Sequence, residues 1–383
     1  MKTPRPFRKR KTGTAAAPVV QLRETQAHPF EMLAGRHLTG PSEIALYRAL
    51  REAVPLLDAA LLKIIRLAGG FFAVCPDKKE AEALNDFLLT VPAGRGQVGA
   101  QAFLDAYLDS LLTCGQAVGE IVLGAETGRI EALLCGDAGT IGMIETDNPL
   151  HVCIGLRKSG GTVHPLPRQD LLLFTPYNPQ PQHPYGVSLL RGMPFLADIL
   201  LKIYQSIGLN WERVGNTRFA VVCKPSDIGA LASDQAAQIA AEWSAAMQSG
   251  PSGRVRDFVA VGDVDIRVIG ADNQILDSQI PVRQILEQLI ARTGIPPFLL
   301  GLNWSSTERM SSQQADILTS EIAALRRTVT PTLVKAFRLW QTLQGRTPNA
   351  RVEWEVVNLQ DEVEEARAHL MRAQAEKLQT PDV

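Results

Sequence analysis

The sequence predicts an α+β fold on three observations. Apolar residues recur with helical spacing from Pro41 onward, residues 118–175 consist of short β-type runs separated by glycines, and helical patterns return after Ser188. The chain has 383 residues, which is enough for two or three compact regions. Its 45% of hydrophobic and 21% of charged residues are the balance of an ordinary globular protein.

Helices are predicted before the β-type block. Apolar residues recur every two to four positions over 41–67, and Pro55 interrupts this pattern. A second helical stretch covers 81–89. A third covers 100–114, and Gly115 follows it as a stop signal.

The β-type block predicts a small antiparallel sheet. Its runs are rich in β-branched and apolar residues and are bounded by glycine turns. The predicted strands are 119–123, 130–134, 151–156 and 171–174.

Two helices then flank a compact αβ insert. The first is predicted from Ser188 to about Val214 and the second from about Ser278 to Thr293, because apolar residues follow one face of each. The insert is predicted to contain strands at 219–223, 258–261 and 265–269, and a helix at 233–249.

The longest helix is predicted over 312–343, after a polar loop at 301–312. Proline lacks a backbone N–H, so Pro331 is expected to kink this helix. A strand at 351–357 and a charged helix at about 360–378 complete the prediction.

The charge balance disfavours tight binding of nucleic acid. The chain has 39 basic and 40 acidic residues, a net charge of −1. Residues 1–23 are different, with seven basic residues and no acidic one, which predicts a solvated, flexible arm. The longest apolar run is shorter than the roughly 18 residues of a membrane span, so no membrane contact is expected.

No catalytic, metal or cofactor site is predicted. Phosphate-binding loops, the dinucleotide fingerprint, metal-binding helices and nucleophile elbows are all absent. The nearest approach is Gly186-Val-Ser188, which lacks the second glycine of an elbow and favours Ser188 as a helix N-cap. The five cysteines form no CxxC pair and the six histidines are scattered, which indicates reduced thiols and no zinc.

Two short motifs resemble those of the portal proteins of tailed bacteriophages of the siphophage type. The first precedes a predicted long helix and reads Pro184, Tyr185, Gly186, Val187, Ser188. The second follows a predicted helix and reads Gly294, Ile295, Pro296, Pro297, Phe298, Leu299, Leu300, Gly301. Pro331, which follows Leu325 in the longest helix, is similar to a third family element. The resemblance covers about 41–345, in the family's order.

The resemblance implies a portal fold, with an αβ wing, two stem helices flanking a small αβ clip, a tunnel loop and a long kinked spine helix. Each part can be carried onto this chain. The implied segments are a basic, flexible arm (1–40), wing (41–187), first stem helix (188–216), clip (217–275), second stem helix (276–293), tunnel-loop region (294–311), spine helix (312–344) and wing closure or abbreviated crown (345–383).

The tunnel loop is implied to face DNA. Its surface is mostly polar with one cation and one anion, so that passing phosphates would meet weak, replaceable contacts. The implied residues are Asn303, Trp304, Ser305, Ser306, Glu308, Arg309 and Ser311.

The implied function is structural rather than enzymatic. A ring, usually of twelve copies, would sit at one vertex of the virion capsid and conduct double-stranded DNA during packaging and ejection, after assembly in the host cytoplasm. The implied partners are further copies of the chain, DNA, the large terminase, the head–tail adaptor, and the scaffold and major capsid proteins.

Two other functions stay open at this point. One is a serine hydrolase with Ser188 as the nucleophile, which a fluorophosphonate probe would label. The other is a monomeric DNA-binding module that uses the basic arm, whose binding would be lost on deletion of residues 1–23.

Overall fold

The structure is a computed structural model that describes residues 41–146, 151–158, 161–180, 185–215, 218–223, 264–269, 278–302 and 308–357, together with residue 241. Predictions for the arm (1–40) and the charged helix (360–378) lie outside these ranges, and so does the predicted insert helix (233–249) apart from residue 241, which is helical. The described part mixes helices with antiparallel strands, so the α+β prediction is confirmed.

The first predicted helical stretch forms two helices. Helix α1 covers Pro41–Ala53 and α2 covers Pro55–Ala68, with Pro55 at the start of α2. The predicted interruption is confirmed, because proline is well tolerated in the first turn of a helix and poorly in its interior. Gly69 follows α2 with a φ of 69°.

The next two helices have clear local signals. Helix α3 (Lys78–Thr90) is longer than predicted, since the Asp77 side chain caps it by accepting a hydrogen bond from the Lys79 N–H (3.0 Å). Helix α4 (Ala100–Cys114) ends where predicted, with Gly115 in the left-handed conformation at a φ of 78°.

The β-type block forms two three-stranded antiparallel sheets, and the prediction of a single sheet is wrong. The chain turns after Gly136, where the Asp137 carboxylate accepts from the Gly139 N–H (3.0 Å), and the strand that follows pairs elsewhere. The first sheet has the order β5-β4-β9, with β4 at Gln116–Leu123, β5 at Ile130–Gly136 and β9 at Leu172–Pro176. The second has the order β6-β7-β8, at Ile141–Glu145, Val152–Arg157 and Val163–Pro165.

Two further strand pairs complete this region. The short hairpin β2 (Pro92–Gly94) and β3 (Gln97–Val98) precedes α4. Strand β1 (Phe71–Val74), which was not predicted, pairs antiparallel with β12 (Arg351–Trp354). The predicted strand at 351–357 is therefore confirmed over its first four residues.

The main hydrophobic core lies where α2 packs on α4 and on the longest helix, and where the latter two pack on the first sheet. Burial of this large apolar area is the main stabilising term of the fold. Its largest fully buried side chains include Leu57, Leu61, Phe103, Tyr107, Leu108, Leu111, Ile121, Leu133 and Phe337.

A helix pair follows the two sheets. Helix α5 (Met193–Gly215) packs on α6 (Gln279–Thr293). The predicted start of α5 at Ser188 is wrong, because residues 188–192 form hydrogen-bonded turns, with Arg191 N–H donating to Ser188 O (3.2 Å). Between the helices, β10 (Arg218–Cys223) and β11 (Val264–Ile269) pair antiparallel, which confirms two of the predicted strands of the insert; the third, 258–261, lies outside the described residues.

A short 3-10 helix (Pro297–Leu300) leads toward α7 (Glu308–Leu343), the longest helix. Helix α7 begins earlier than the predicted 312, so Glu308, Arg309 and Ser311 belong to its first turn and not to a loop. The helix continues across Pro331, and the kink expected there stays a prediction. None of the described helices is long and apolar enough to cross a membrane.

Candidate functional site

The segment that leads into α5 is held at a close crossing of two backbones. A Cβ atom on Gly186 would overlap the carbonyl oxygen of Gly115 and the backbone nitrogen of Tyr177. A Cβ atom on Gly115 would lie 2.5 Å from the Ser188 nitrogen, and its φ of 78° also favours glycine. The glycine of the first motif is therefore required by the lack of space for a side chain.

Backbone hydrogen bonds fix this crossing. The Tyr177 N–H donates to Gly115 O (2.8 Å), and the Val187 N–H donates to Tyr177 O (2.7 Å). The Leu189 N–H donates to Leu112 O (3.0 Å), which satisfies a carbonyl in the last turn of α4. The end of α4, the end of β9 and the approach to α5 thus form one junction.

Tyr185 links this junction to the second sheet. Its hydroxyl oxygen accepts a hydrogen bond from the Met143 N–H in β6 (3.1 Å), and 40% of its surface remains exposed. Tyr185 therefore connects the second sheet to the segment that leads into α5. Pro184, the first residue of the motif, lies outside the described residues.

Ser188 has the surroundings of a structural residue. It is 4% exposed, donates to Thr113 O (2.7 Å) and accepts from the Leu190 N–H (3.0 Å). Its hydrogen-bond partners among the described residues are backbone groups, whereas a nucleophilic serine needs a general base within reach. The serine caps a turn rather than the long helix, and the observed contacts give no support to a hydrolase site.

The second motif makes a stop and a tight turn between α6 and α7. Gly294 ends α6 in the left-handed conformation, with a φ of 71°, and Ile295 behind it is 2% exposed. Pro297 stands at the first position of the 3-10 helix, where its missing N–H costs nothing. Gly301, at a φ of 75°, closes that turn by donating to Phe298 O (3.1 Å).

The predicted DNA-facing residues follow this turn. Asn303, Trp304, Ser305 and Ser306 lie outside the described residues, so their placement stays a prediction. Glu308, Arg309 and Ser311 stand in the first turn of α7, which leaves 302–307 as the connection between the 3-10 helix and α7.

Pro331 lies where α7 crosses the first sheet and β12. The hydroxyls of Thr332 and Thr175 in β9 are 2.8 Å apart, and the Trp354 indole N–H donates to the Thr330 hydroxyl (3.1 Å). The Tyr107 hydroxyl extends this chain by donating to Thr175 (2.9 Å). Threonines on both sides of the proline therefore attach α7 to two sheets, through a buried hydroxyl pair to β9 and a partly buried hydrogen bond to β12.

A cleft between α1, α4 and β5 holds a network of charges that the sequence analysis missed. Arg51 pairs with Asp58 (2.6 Å) and Asp109 (2.7 Å), and Arg48 pairs with Asp137. The hydrogen bond from Arg48 holds the pKa of Asp137 below its usual value. Each arginine and its carboxylate partner are 7 to 89 positions apart in the sequence, so no local motif indicates the network. The one signal in the sequence is that Arg51 stands beside the apolar face of α1.

Two cysteines line the same cleft. Burial raises the pKa of Cys135 to about 11 and raises the pKa of Cys114 as well. Thiols with raised pKa values are poor nucleophiles and poor metal ligands at neutral pH. The described part of the chain contains no cluster of three or more side chains suited to a metal ion. With both arginines paired, the cleft offers neither a free cation for an anionic ligand nor an activated nucleophile.

Comparison with known proteins gives matches among solved structures. No protein-family model matches the sequence, and no curated protein matches it. A chain of the neck of the native gene transfer agent (GTA) particle, computed with C12 symmetry, has a TM-score of 0.63 and 17% identity, over 90% of this chain and 93% of that one. A chain of the neck of the empty GTA particle, computed with C6 symmetry, has a TM-score of 0.66 and 15% identity, over 86% and 89%.

A third structure is a HK97 family phage portal protein from Corynebacterium diphtheriae, with a TM-score of 0.45 and 12% identity over 80% of this chain and 95% of that one. This TM-score is too low to assign a shared fold. The two neck chains match this chain over nearly its whole length, and at their sequence identities the likeness concerns the fold. This chain therefore has the fold of a chain that belongs to the neck of the gene transfer agent particle.

Proposed function

We propose that this chain is the portal subunit of a phage-type particle, a ring-forming structural protein that conducts double-stranded DNA through one capsid vertex. The observation that carries the proposal is the fold match over 90% of this chain and 93% of a chain from a neck computed with C12 symmetry. The order of the portal-like motifs along the sequence supports the same function independently of the fold.

The parts of a portal correspond to described elements. In this proposal α1–α4 and the two sheets form the wing, α5 and α6 are the stem helices, and the β10–β11 pair belongs to the clip. Helix α7 is the spine, and β12 closes the wing by pairing with β1. In this assignment the wing meets the stem at the Gly115–Gly186 crossing, and the spine meets the wing around Pro331.

The tunnel loop in this proposal is the connection over 302–307, with Glu308, Arg309 and Ser311 at its junction with α7. The loop lies between the turn at Gly301 and the spine helix, so both of its ends are held by ordered structure. A polar loop with few cations suits a channel wall, because each added phosphate contact would slow the movement of DNA.

The proposed partners follow from the ring. Further copies of the chain complete the channel, and DNA passes through it. The large terminase, the head–tail adaptor, and the scaffold and capsid proteins contact the outside of the ring during assembly in the host cytoplasm and in the virion. ATP hydrolysis belongs to the terminase, and the portal chain acts without catalytic residues or a cofactor.

The first test is the assembly state of the purified full-length chain. Light scattering would be paired with negative-stain images of the same fractions over a range of protein concentrations. Closed rings with a central hole, of about the twelve copies that the resemblance implies, are the expected result. A chain that stays monomeric in every fraction would contradict the proposal.

A further inference from the structure

The outer part of the helix pair has an unusual surface. Over residues 193–211 of α5, where side-chain burial is described, the buried residues Met193, Ala197 and Leu200 all lie in the first eight positions, and every residue over 201–211 is at least partly exposed. Helix α6 behaves in the same way, because its buried residues Leu289, Ile290 and Thr293 stand near its end. The pair is anchored to the core where α5 begins and α6 ends, and the rest extends away from that anchor.

An apolar stripe follows one face of this outer part of α5. Leu201, Tyr204 and Trp211 are 39%, 45% and 62% exposed. Their spacings of three and seven place them on one side of a helix with about 3.6 residues per turn. The stripe lies on the same face of α5 as the buried residues Ala197 and Leu200. This face therefore packs on the core near the start of the helix and is exposed to solvent in its later turns.

Charge is sparse along the stripe as far as Trp211, after which the chain continues with Glu212 and Arg213. Over 199–211 the only charged residue is Lys202, whose ammonium group pairs with the Asp198 carboxylate at 2.7 Å on a different side of the helix. A helix that faces water usually carries charged residues on its open side. Enrichment in aromatic residues together with depletion of charge is typical of the centre of a protein–protein interface.

Helix α6 offers a second surface of a different kind. Ile280 is 62% exposed, on the side of α6 opposite Val282, Ile285 and Leu286, which pack against the main core. The charged residues next to this side, Arg283 and Glu287, pair with each other at 2.8 Å. An apolar side chain that packs against this side would therefore not bury a charge without a partner.

We propose that the stripe of Leu201, Tyr204 and Trp211 in one copy packs against the Ile280 side of α6 in the next copy. A closed ring needs two different surfaces on each subunit, one for each neighbour, and the two helices supply them. The inference rests on the proposed portal function and adds to it the residues through which the stem helices of neighbouring copies meet.

The direct test compares two variants of the full-length chain. Tyr204→Asp combined with Trp211→Asp places charge in the stripe, whereas Leu209→Asp places charge on an exposed apolar residue (48%) that lies about 140° from Tyr204 around the same helix. Ring formation is measured by sedimentation velocity and negative stain, and folding by circular dichroism.

The double variant is expected to stay folded and to need a protein concentration at least roughly tenfold higher to form rings, as for loss of a central aromatic anchor. The Leu209→Asp variant is expected to form rings like the wild type. Rings from the double variant at the wild-type concentration would overturn the inference, and so would an equal loss of rings in the Leu209→Asp control.

A mixing experiment tests the pairing of the two surfaces. The stripe double variant keeps an intact α6 surface, and an Ile280→Asp variant keeps an intact stripe. At the concentration at which the wild type forms rings, each alone is expected to be monomeric, whereas an equal mixture should form complexes of one chain of each kind, joined through the two intact surfaces. A mixture that stays monomeric would show that the α6 surface is not the partner of the stripe.

The outcomes separate this inference from the proposed function. If the wild type and all variants form rings, the portal proposal stands and the assigned interface is wrong. If the wild type forms no rings at any concentration, the portal proposal is contradicted and the interface falls with it.

Discussion

Gly186 stands where two backbone segments touch, and its role is set by space. Alanine at this position would place a methyl group inside the Gly115 carbonyl and the Tyr177 backbone, neither of which can rotate away. We expect Gly186→Ala to lower the free energy of unfolding by roughly 3 kcal/mol, because overpacking against fixed backbone must separate the two segments. Urea unfolding followed by circular dichroism would measure the change.

The matched control is Gly136→Ala in β5. A Cβ atom there would lie 3.6 Å from the nearest atom, the Val118 carbonyl oxygen, which is an ordinary contact. Its unfolding free energy should change by less than about 1 kcal/mol. Equal stabilities of the two variants would contradict the close crossing of Gly115 and Gly186.

Cys135 is a thiol whose reactivity should depend steeply on pH. Burial raises its pKa to about 11. Only the thiolate attacks iodoacetamide, so its alkylation rate in the folded protein should rise about tenfold per pH unit from pH 8 to pH 10 without reaching a plateau. Mass spectrometry of the Cys135 peptide measures the rate.

The same chain unfolded in urea is the control for this thiol. There Cys135 should react as an ordinary cysteine and level off near pH 9. A plateau at that pH in the folded protein as well would mean that the cleft does not desolvate the thiol.

At the scale of elements, Gln341 joins the end of α7 to the segment that leads into β12. Its side chain is 0% exposed, and its oxygen accepts from the backbone N–H groups of Asn349 (2.9 Å) and Ala350 (3.0 Å). Its nitrogen donates to the Glu80 carboxylate in α3 (2.8 Å). A single amide group thus sets the position of the strand that pairs with β1.

We expect Gln341→Leu to lower the free energy of unfolding by about 3 kcal/mol, since it keeps the volume but removes the acceptor of two backbone N–H groups. It also leaves the buried Glu80 carboxylate with only the more distant Arg346, at 4.0 Å, as a charged partner. Thermal or urea unfolding would show the loss. The matched substitution Gln344→Leu, at an exposed position one turn later, should change stability by less than about 0.5 kcal/mol. A neutral Gln341→Leu variant would contradict the hydrogen-bond network.

At the scale of the whole molecule, the charge balance sets how strongly the chain holds DNA. With 39 basic and 40 acidic residues, the full-length protein should bind a double-stranded fragment weakly and with a shallow dependence on salt. Deletion of residues 1–23 removes seven basic residues and no acidic one, and should weaken this binding further. Fluorescence anisotropy at two salt concentrations measures both effects.

This experiment also separates a channel from a DNA-binding module. Tight, strongly salt-dependent binding by a monomer that disappears on deletion of 1–23 would favour the module. Weak binding by rings with a shallow salt dependence, both of which the deletion lowers only slightly further, would favour the channel, because a channel must release each phosphate contact as DNA moves.

Much of the element order could be predicted because its signals are local. Gly115 and Gly294 end helices through a left-handed backbone, and Pro55 separates α1 from α2. Such effects act within a few residues, so a sequence pattern is enough to locate them. The two portal-like motifs were found for the same reason, although the crossing of Gly186 with Gly115 became visible only in three dimensions.

The errors share a different cause. The start of α5 at Met193, the division of the strands into two sheets and the pairing of β1 with β12 depend on contacts between residues far apart in the chain. The charge network of Arg48 and Arg51 was missed on the same ground, because its carboxylates come from other elements.

The sequence by itself determined the mixture of helices and strands, most helix ends and the motifs that suggested a portal, since backbone conformation and hydrophobic periodicity are properties of neighbouring residues. Only the tertiary structure decided which strands pair, why Gly186 must be glycine, that Ser188 is buried against backbone groups, and that the stripe of Leu201, Tyr204 and Trp211 is left open. Those features arise from packing between segments that are distant in the sequence. Such packing is determined by the contacts of the whole folded chain and not by neighbouring residues.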